Sequence, residues 1–117
     1  MNRFREGQSY EQAAAERLTA KGWQILERNW RRHHTELDII ALDGKWLVFV
    51  EVKYREAKDR DGGPLAAVNA VKQKRIIRTA RYYMLTHHLP EDTPVRFDVI
   101  GMSPGETVHI RDAFHVS

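Results

Sequence analysis

Residues 37–53 read LDIIALDGKWLVFVEVK. Two largely apolar runs flank Asp43-Gly44, a dipeptide that closes β-hairpins because its residues tolerate the positive φ of tight hairpin turns. The spacing predicts strands over 37–42 and 45–53. With a two-residue turn at Asp43-Gly44, Leu42 faces Lys45, Asp38 faces Phe49 and Glu36 faces Glu51. Alternate residues return to the same side of a strand, so Glu36, Asp38, Glu51 and Lys53 all project from one face. Asp38 and Glu51 become diagonal neighbours, roughly 7–8 Å apart at the backbone. A three-residue loop or a bulge would destroy this parity. The second strand also poses a problem. Trp46 to Val50 reads as buried, yet Glu51 and Lys53 arrive in the same run, and burying a charge costs several kcal/mol unless something pairs with it.

Working outward, Ser9-Tyr10-Glu11-Gln12 has the form of a capping box opening a helix that runs to Lys21, with Gly22 as its stop. Glu11 falls in line with Ala15 and Leu18, so its carboxylate leaves the first turn near the buried face. Residues 24–30 alternate as a first strand, with Trp23 and Ile25 on one side and Leu26 on the other. Beyond the hairpin, residues 56–64 (EAKDRDGGP) form a polar loop. A second helix is expected from Ala66 to about His87, with Val68, Ile76, Ala80, Tyr83 and Met84 on its apolar side. Lys74, Arg78 and Arg81 lie opposite and read as a solvated face; Lys72 sits at the rim of the apolar side. Residues 95–102 alternate as a strand, and a turn at 103–106 leads to a last one. The order is α-β-β-β-α-β-β. It implies an α/β fold with a central mixed sheet flanked by helices and a right-handed crossover. Trp23, Trp30 and Trp46 are assigned to the core, with base stacking the alternative for Trp30 beside Arg31, and Asp98 to organising the sheet or the neighbouring loop.

A chain of 117 residues suits one domain spanning 1–117, and 42% hydrophobic with 30% charged residues is the balance of a folded globular protein. The absence of cysteine excludes disulfides and cysteine-ligated metals. The polar N-terminus and the lack of any long apolar run argue against a leader or a membrane span, making the cytoplasm the default. A net charge of +3 favours polyanionic partners modestly.

Glu11, Asp38 and Glu51 are hard oxygen donors of the kind Mg²⁺ or Mn²⁺ selects, provided the first helix packs across the hairpin's polar side. Lys53 would stand beside them, to hold a water or offset charge on phosphorus. Glu36 is the alternative third carboxylate. The rival reading is a strand-end ion pair facing solvent, and Glu-x-Lys alone arises by chance in roughly two chains of this length in five. Its placement inside an apolar strand, across a hairpin from an aspartate, is what gives it weight. Arg31 and Arg32, in the run Arg31-Arg32-His33-His34 before the acidic strand, are candidates for phosphate-backbone contact together with Arg55 and Lys72. His33, His34, His87 and His88 lack helical zinc spacing and are read as surface residues.

Asp38 followed by Glu51-Val52-Lys53 on the next strand resembles the signature of the PD-(D/E)xK nuclease superfamily, with Leu37 where the proline would stand. Across nearly the whole chain the sequence is similar to the YraN family of small bacterial proteins, themselves similar to archaeal Holliday-junction resolvases. The residues that carry this are Gly7, Glu11 and Ala14; Gly22 and Asn29; Glu36-Leu37-Asp38-Ile39-Ile40; Phe49-Val50-Glu51-Val52-Lys53 with Arg55; Lys72 with Ala80; Arg96-Phe97-Asp98-Val99-Ile100; and Ala113-Phe114. Thr35 stands where the family usually has glycine. The resemblance implies a restriction-endonuclease-like fold and a metal site at Glu11, Asp38, Glu51 and Lys53. It further implies a nucleic-acid partner, DNA ahead of RNA, and pairing of two copies as in resolvases. Two functions follow as expectations: a Mg²⁺- or Mn²⁺-dependent endonuclease acting on structured or branched nucleic acid, or a binding module that keeps the fold without turnover.

Overall fold

The structure, a computed structural model, describes residues 3–55 and 68–116, with side chains from residue 10 onward. The first helix, α1 (Arg3–Ala20), starts before the expected capping box, so Ser9 lies within it. The preceding Arg, Glu and Gln residues are themselves good helix formers and extend the helix backwards. At its other end Gly22 adopts φ 92°. The amides of Gly22 and Trp23 then close on the carbonyls of Thr19 and Leu18 at 2.9 and 3.1 Å, satisfying the last turn.

Three antiparallel strands follow: β1 (Gln24–Arg32), β2 (Thr35–Asp43) and β3 (Trp46–Tyr54). Helix α2 (Ala70–Thr86) then crosses to β4 (Val95–Ser103), which runs parallel to β3, and β5 (Glu106–Phe114) returns antiparallel at the edge. The sheet order is β1-β2-β3-β4-β5. This is the mixed sheet and α-β-β-β-α-β-β order expected from the sequence. The polar loop expected at 56–64 lies outside the described residues. Helix α2 begins at Ala70 rather than Ala66 because Asn69 caps it, its side chain accepting the Lys72 amide at 3.0 Å. Among the described residues, no helix is long and apolar enough to cross a membrane.

The central hairpin turns one residue later than the dipeptide suggested, which shifts every cross-strand pairing by two residues. Asp43 pairs with Trp46 and Ile40 with Phe49, leaving Gly44 and Lys45 as the turn. Gly44 has φ 60° and takes the first central position, where a type II′ turn places glycine. Because the shift is an even number of residues, the faces are unchanged. The first hairpin is also tighter than expected: β1 and β2 extend to Arg32 and Thr35, and only His33-His34 separate them, with His33 at φ 57°.

Each face of the sheet carries its own core. On one, Ala14, Ala15 and Leu18 of α1 pack with Trp23 against Ile39, Ala41, Val48, Val50 and Ile100. On the other, Ile76, Ala80 and Tyr83 of α2 cover Ile40, Phe49, Phe97 and Val99. Phe49 lies 5.9 Å from the Tyr83 ring and 5.6 Å from Phe97, all centroid to centroid. Trp23 is buried and Trp30 packs edge-on to Tyr83 at 5.3 Å, but Trp46 is 37% exposed. It begins β3 beside the hairpin turn, beyond the reach of either helix layer.

Asp98, fully buried on β4, has the organising role read from the sequence. Its carboxylate accepts Arg96 Nε at 2.9 Å, Arg96 Nη2 at 3.0 Å, His109 Nε2 at 2.8 Å and the Asp112 amide at 3.0 Å. Burial alone would raise the Asp98 carboxyl, but the hydrogen bonds from His109, Arg96 and Asp112 outweigh it and hold it below the usual range. Sequence inspection missed His109. Only the β4–β5 register, which pairs it with Ile100, brings its ring to Asp98.

Candidate functional site

Strand β2 should alternate faces strictly, yet Leu37 packs with Ile40 on the α2 side while Ile39 packs on the α1 side. The strand therefore rotates at Asp38, just beyond the last regular pair, Ile39 with Val50. There the ladder is completed by a side chain: Asp38 Oδ2 accepts the Val52 amide at 2.8 Å. The kink spares the parity that places the polar groups together. Glu36, Asp38, Glu51 and Lys53 line one cleft of about 310 Å³, joined by Lys72 and Arg75 from the start of α2. Glu51 and Lys53 form an ion pair, Oε2 to Nζ 3.2 Å, with side chains 15% and 25% exposed.

The pairing answers why charges interrupt an apolar strand: each has a partner, and both sit where the sheet opens to solvent. The electrostatics remain unbalanced on the carboxylate side. Burial, then the Glu51 charge and a hydrogen bond with the Glu51 carboxyl, push Asp38 up to about 9, against the pull of the Val52 amide. Burial and the neighbouring Glu51 carboxylate thus favour the protonated form of Asp38 at neutral pH.

The first helix lies across the opposite face from that expected. Its Ala14, Ala15 and Leu18 stripe matches the flat Ile39, Ala41, Val48 and Val50 surface, whereas the larger residues of α2 occupy the side of Glu51 and Lys53. Glu11 approaches from α1 and acts on Asp38 through charge alone. Burial raises the Glu11 carboxyl, with Glu36 and Glu51 adding to the rise while Arg28 and Asn29 oppose it. Among the described residues, two buried side-chain atoms have no hydrogen-bond partner: Oε1 of Glu11 and Nε of Arg32. Glu36, by contrast, is exposed and engaged by Arg31 at 2.9 Å. Among the described residues, no three Asp, Glu, His or Cys side chains come together closely enough to form a ready metal group. As they stand, Asp38 and Glu51 are a carboxyl pair with a third carboxylate in electrostatic reach. The donor chemistry fits a hard divalent cation: oxygen donors only, two carboxyls crowded together, and one orphaned buried oxygen.

Of the four residues proposed for nucleic-acid contact, Lys72 alone lines the cleft. The Lys53 ammonium beside it, followed by partial burial, lowers the Lys72 amine. Arg31 is tied to Glu36, Arg32 lies over the Tyr82 ring at 4.8 Å, and the Arg55 amide bonds the Met102 carbonyl at 2.9 Å. Arg75 was missed, although it stands three residues after Lys72 on the same flank of α2, a spacing that could have found it.

A five-stranded mixed sheet covered by a helix on each face, with an acid pair where its central hairpin opens, places the protein in the restriction-endonuclease-like class of α/β folds. The family model described as "Uncharacterised protein family UPF0102" matches residues 10–102. A UPF0102 protein of Lachnoclostridium phytofermentans is 47% identical over 114 residues, covering 97% of this chain and 96% of its own. One from Symbiobacterium thermophilum is 47% identical over 116 residues, with 95% and 97% covered. One from Thermodesulfovibrio yellowstonii is 41% identical over 114, with 97% and 99% covered. The chain belongs to the UPF0102 family, the family its sequence resembles.

Proposed function

We propose that this protein is a metal-dependent endonuclease that hydrolyses phosphodiester bonds in structured or branched nucleic acid, at the cleft between β2, β3 and α2. The observation that carries this reading is the adjacency of the Asp38 and Glu51 carboxyls, with Lys53 paired to Glu51 at 3.2 Å. Asp38 and Glu51 are the primary ligands, and the orphaned Glu11 oxygen is a better third donor than Glu36, which Arg31 already occupies. Mg²⁺ or Mn²⁺ bound there supplies Lewis-acid polarisation of the phosphate and an acidified water. Lys53 orients toward the same point and offsets charge on the phosphate oxygens. Lys72 and Arg75 hold the flanking phosphates from the helix side, and Asp38 must release its proton for the site to load.

The test is cleavage of junction, flap and single-stranded substrates with Mg²⁺ or Mn²⁺, comparing wild type with Asp38→Ala and Glu51→Ala. The reading expects cutting by wild type alone; cutting that survives both substitutions overturns it. The second reading, a binding module without turnover, draws support from the proton held on Asp38, which competes with any cation. Calorimetry with millimolar Mn²⁺ separates the two, because a module of that kind takes up no metal.

A further inference from the structure

Helix α2, AVKQKRIIRTARYYMLT, carries Lys72, Lys74, Arg75, Arg78 and Arg81 and not one carboxylate. A solvated surface helix ordinarily interleaves both signs, since opposite charges three or four residues apart stabilise it and like charges destabilise it. This helix therefore tolerates self-repulsion along its outer side. The cations are not spread evenly. Arg75, which lines the cleft, is followed by Arg78 and then Tyr82 at steps of three and four residues, so the three share one flank. Tyr82 lies about 10 Å along the axis from Arg75. The residue is 42% exposed, and the Arg32 guanidinium of β1 is seated over its ring at 4.8 Å. A tyrosine on an outer flank gains little from burial there, yet a cation from another element packs on its face.

We propose that the flank Arg75–Arg78–Tyr82, with Arg32 behind the ring, is a track that delivers a single nucleic-acid strand into the cleft. The proposal rests on the nucleic-acid reading of the cleft and adds which form of the polymer arrives and by which side. Arg75 and Arg78 take successive backbone phosphates, and a base stacks on Tyr82. A duplex has its bases sealed in the stack, so it could use the arginines and gain nothing from the ring. A strand with free bases uses both. The unpaired arm of a flap or an opened junction supplies such a strand. An acidic protein partner would also seek the cations, but it has no use for an exposed ring backed by an arginine.

The experiment is fluorescence anisotropy of oligo-dT of about 20 nucleotides, and of a duplex of equal length, in EDTA at about 0.1 M salt and across a salt series. Tyr82→Ala should weaken the single strand about tenfold and the duplex less than twofold, while Tyr82→Phe keeps wild-type affinity. Arg78→Ala should lower the single-strand slope of log affinity against log salt by about 0.7, the value of one lost phosphate contact. Arg17→Ala, an exposed cation on α1, is the charge-matched control and should change neither. Wild-type binding that Tyr82→Ala and Arg78→Ala leave untouched overturns the track while the cleft reading stands. Equal losses on both polymers overturn the single-strand assignment. A wild-type protein that binds neither overturns the track and the nucleic-acid reading together.

Discussion

Asp38 Oδ2 accepts the Val52 amide at 2.8 Å while the same carboxyl is hydrogen-bonded to Glu51, one residue back along that neighbouring strand. A side chain thus takes the place of a backbone acceptor where β2 rotates away from β3. The consequence is mechanical as well as chemical. The hairpin can open at this end without orphaning the Val52 amide, and the opening makes room for the cleft. The cost is electrostatic, because the group that completes the ladder is a carboxyl forced against another.

That cost predicts a stability gain on neutralisation. The folded-state pKa of Asp38 is raised, so its contribution to stability is fully present below the unfolded value of about 3.9 and is lost as pH rises toward about 9. In metal-free protein, urea midpoints should therefore fall between about pH 5 and pH 8 more steeply than in Asp38→Asn, which has no proton to lose at this position. At about pH 8 the variant should be the more stable by about 1–2 kcal/mol. An Asp38→Asn protein that is less stable than wild type at that pH contradicts the strained pair.

Metal uptake should show the reverse pH dependence. A cation must displace the Asp38 proton, so Mn²⁺ affinity measured by calorimetry should rise with pH and each binding event should release a proton to buffer. Glu51→Gln should weaken uptake on the order of a hundredfold, Glu11→Gln about tenfold and Glu36→Gln less than about threefold. Interchanged effects at Glu11 and Glu36 would reassign the third ligand.

The two lysines of the cleft make a spectroscopic prediction that needs neither metal nor substrate. Lys53 is the main reason the Lys72 amine lies below its ordinary range. In Lys53→Met, the Lys72 titration followed by carbon-detected NMR should return upward toward about 10.4. A Lys72 resonance that does not move means that the ammonium groups are farther apart than the structure has them.

Much of this arrangement was legible in the sequence because strand parity is robust. The hairpin turned at Gly44-Lys45 instead of Asp43-Gly44, yet an even shift left Asp38 and Glu51 on the same side and brought them closer. What could not be read was which helix covers which face. Both helices are amphipathic, and the choice depends on matching the Ala14, Ala15 and Leu18 stripe to one surface and the bulkier Ile76 and Tyr83 side to the other. The rotation at Asp38 was equally hidden, since alternation gives no warning of a residue that serves the backbone of the next strand. His109 escaped for the same reason: its role exists only once β5 is in register with β4.

The Asp98 network offers the last test, at the opposite end of the pH scale. Its depressed pKa means that its contribution is present above the unfolded value of about 3.9 and is lost as pH falls through the lower folded value. Asp98→Ala leaves the Arg96 guanidinium and His109 without their shared acceptor in the interior, and should cost about 3–5 kcal/mol at neutral pH by urea unfolding. The gap between wild type and variant should narrow as pH drops below about 4, because wild type then loses the same charge. His109→Gln, which keeps a donor near the carboxylate, should cost about 1–2 kcal/mol. Neither change touches the cleft, so folded His109→Gln should take up Mn²⁺ as wild type does. A variant that loses metal along with stability would show that β4 transmits its packing through β3 to Glu51, its parallel neighbour opposite Val99.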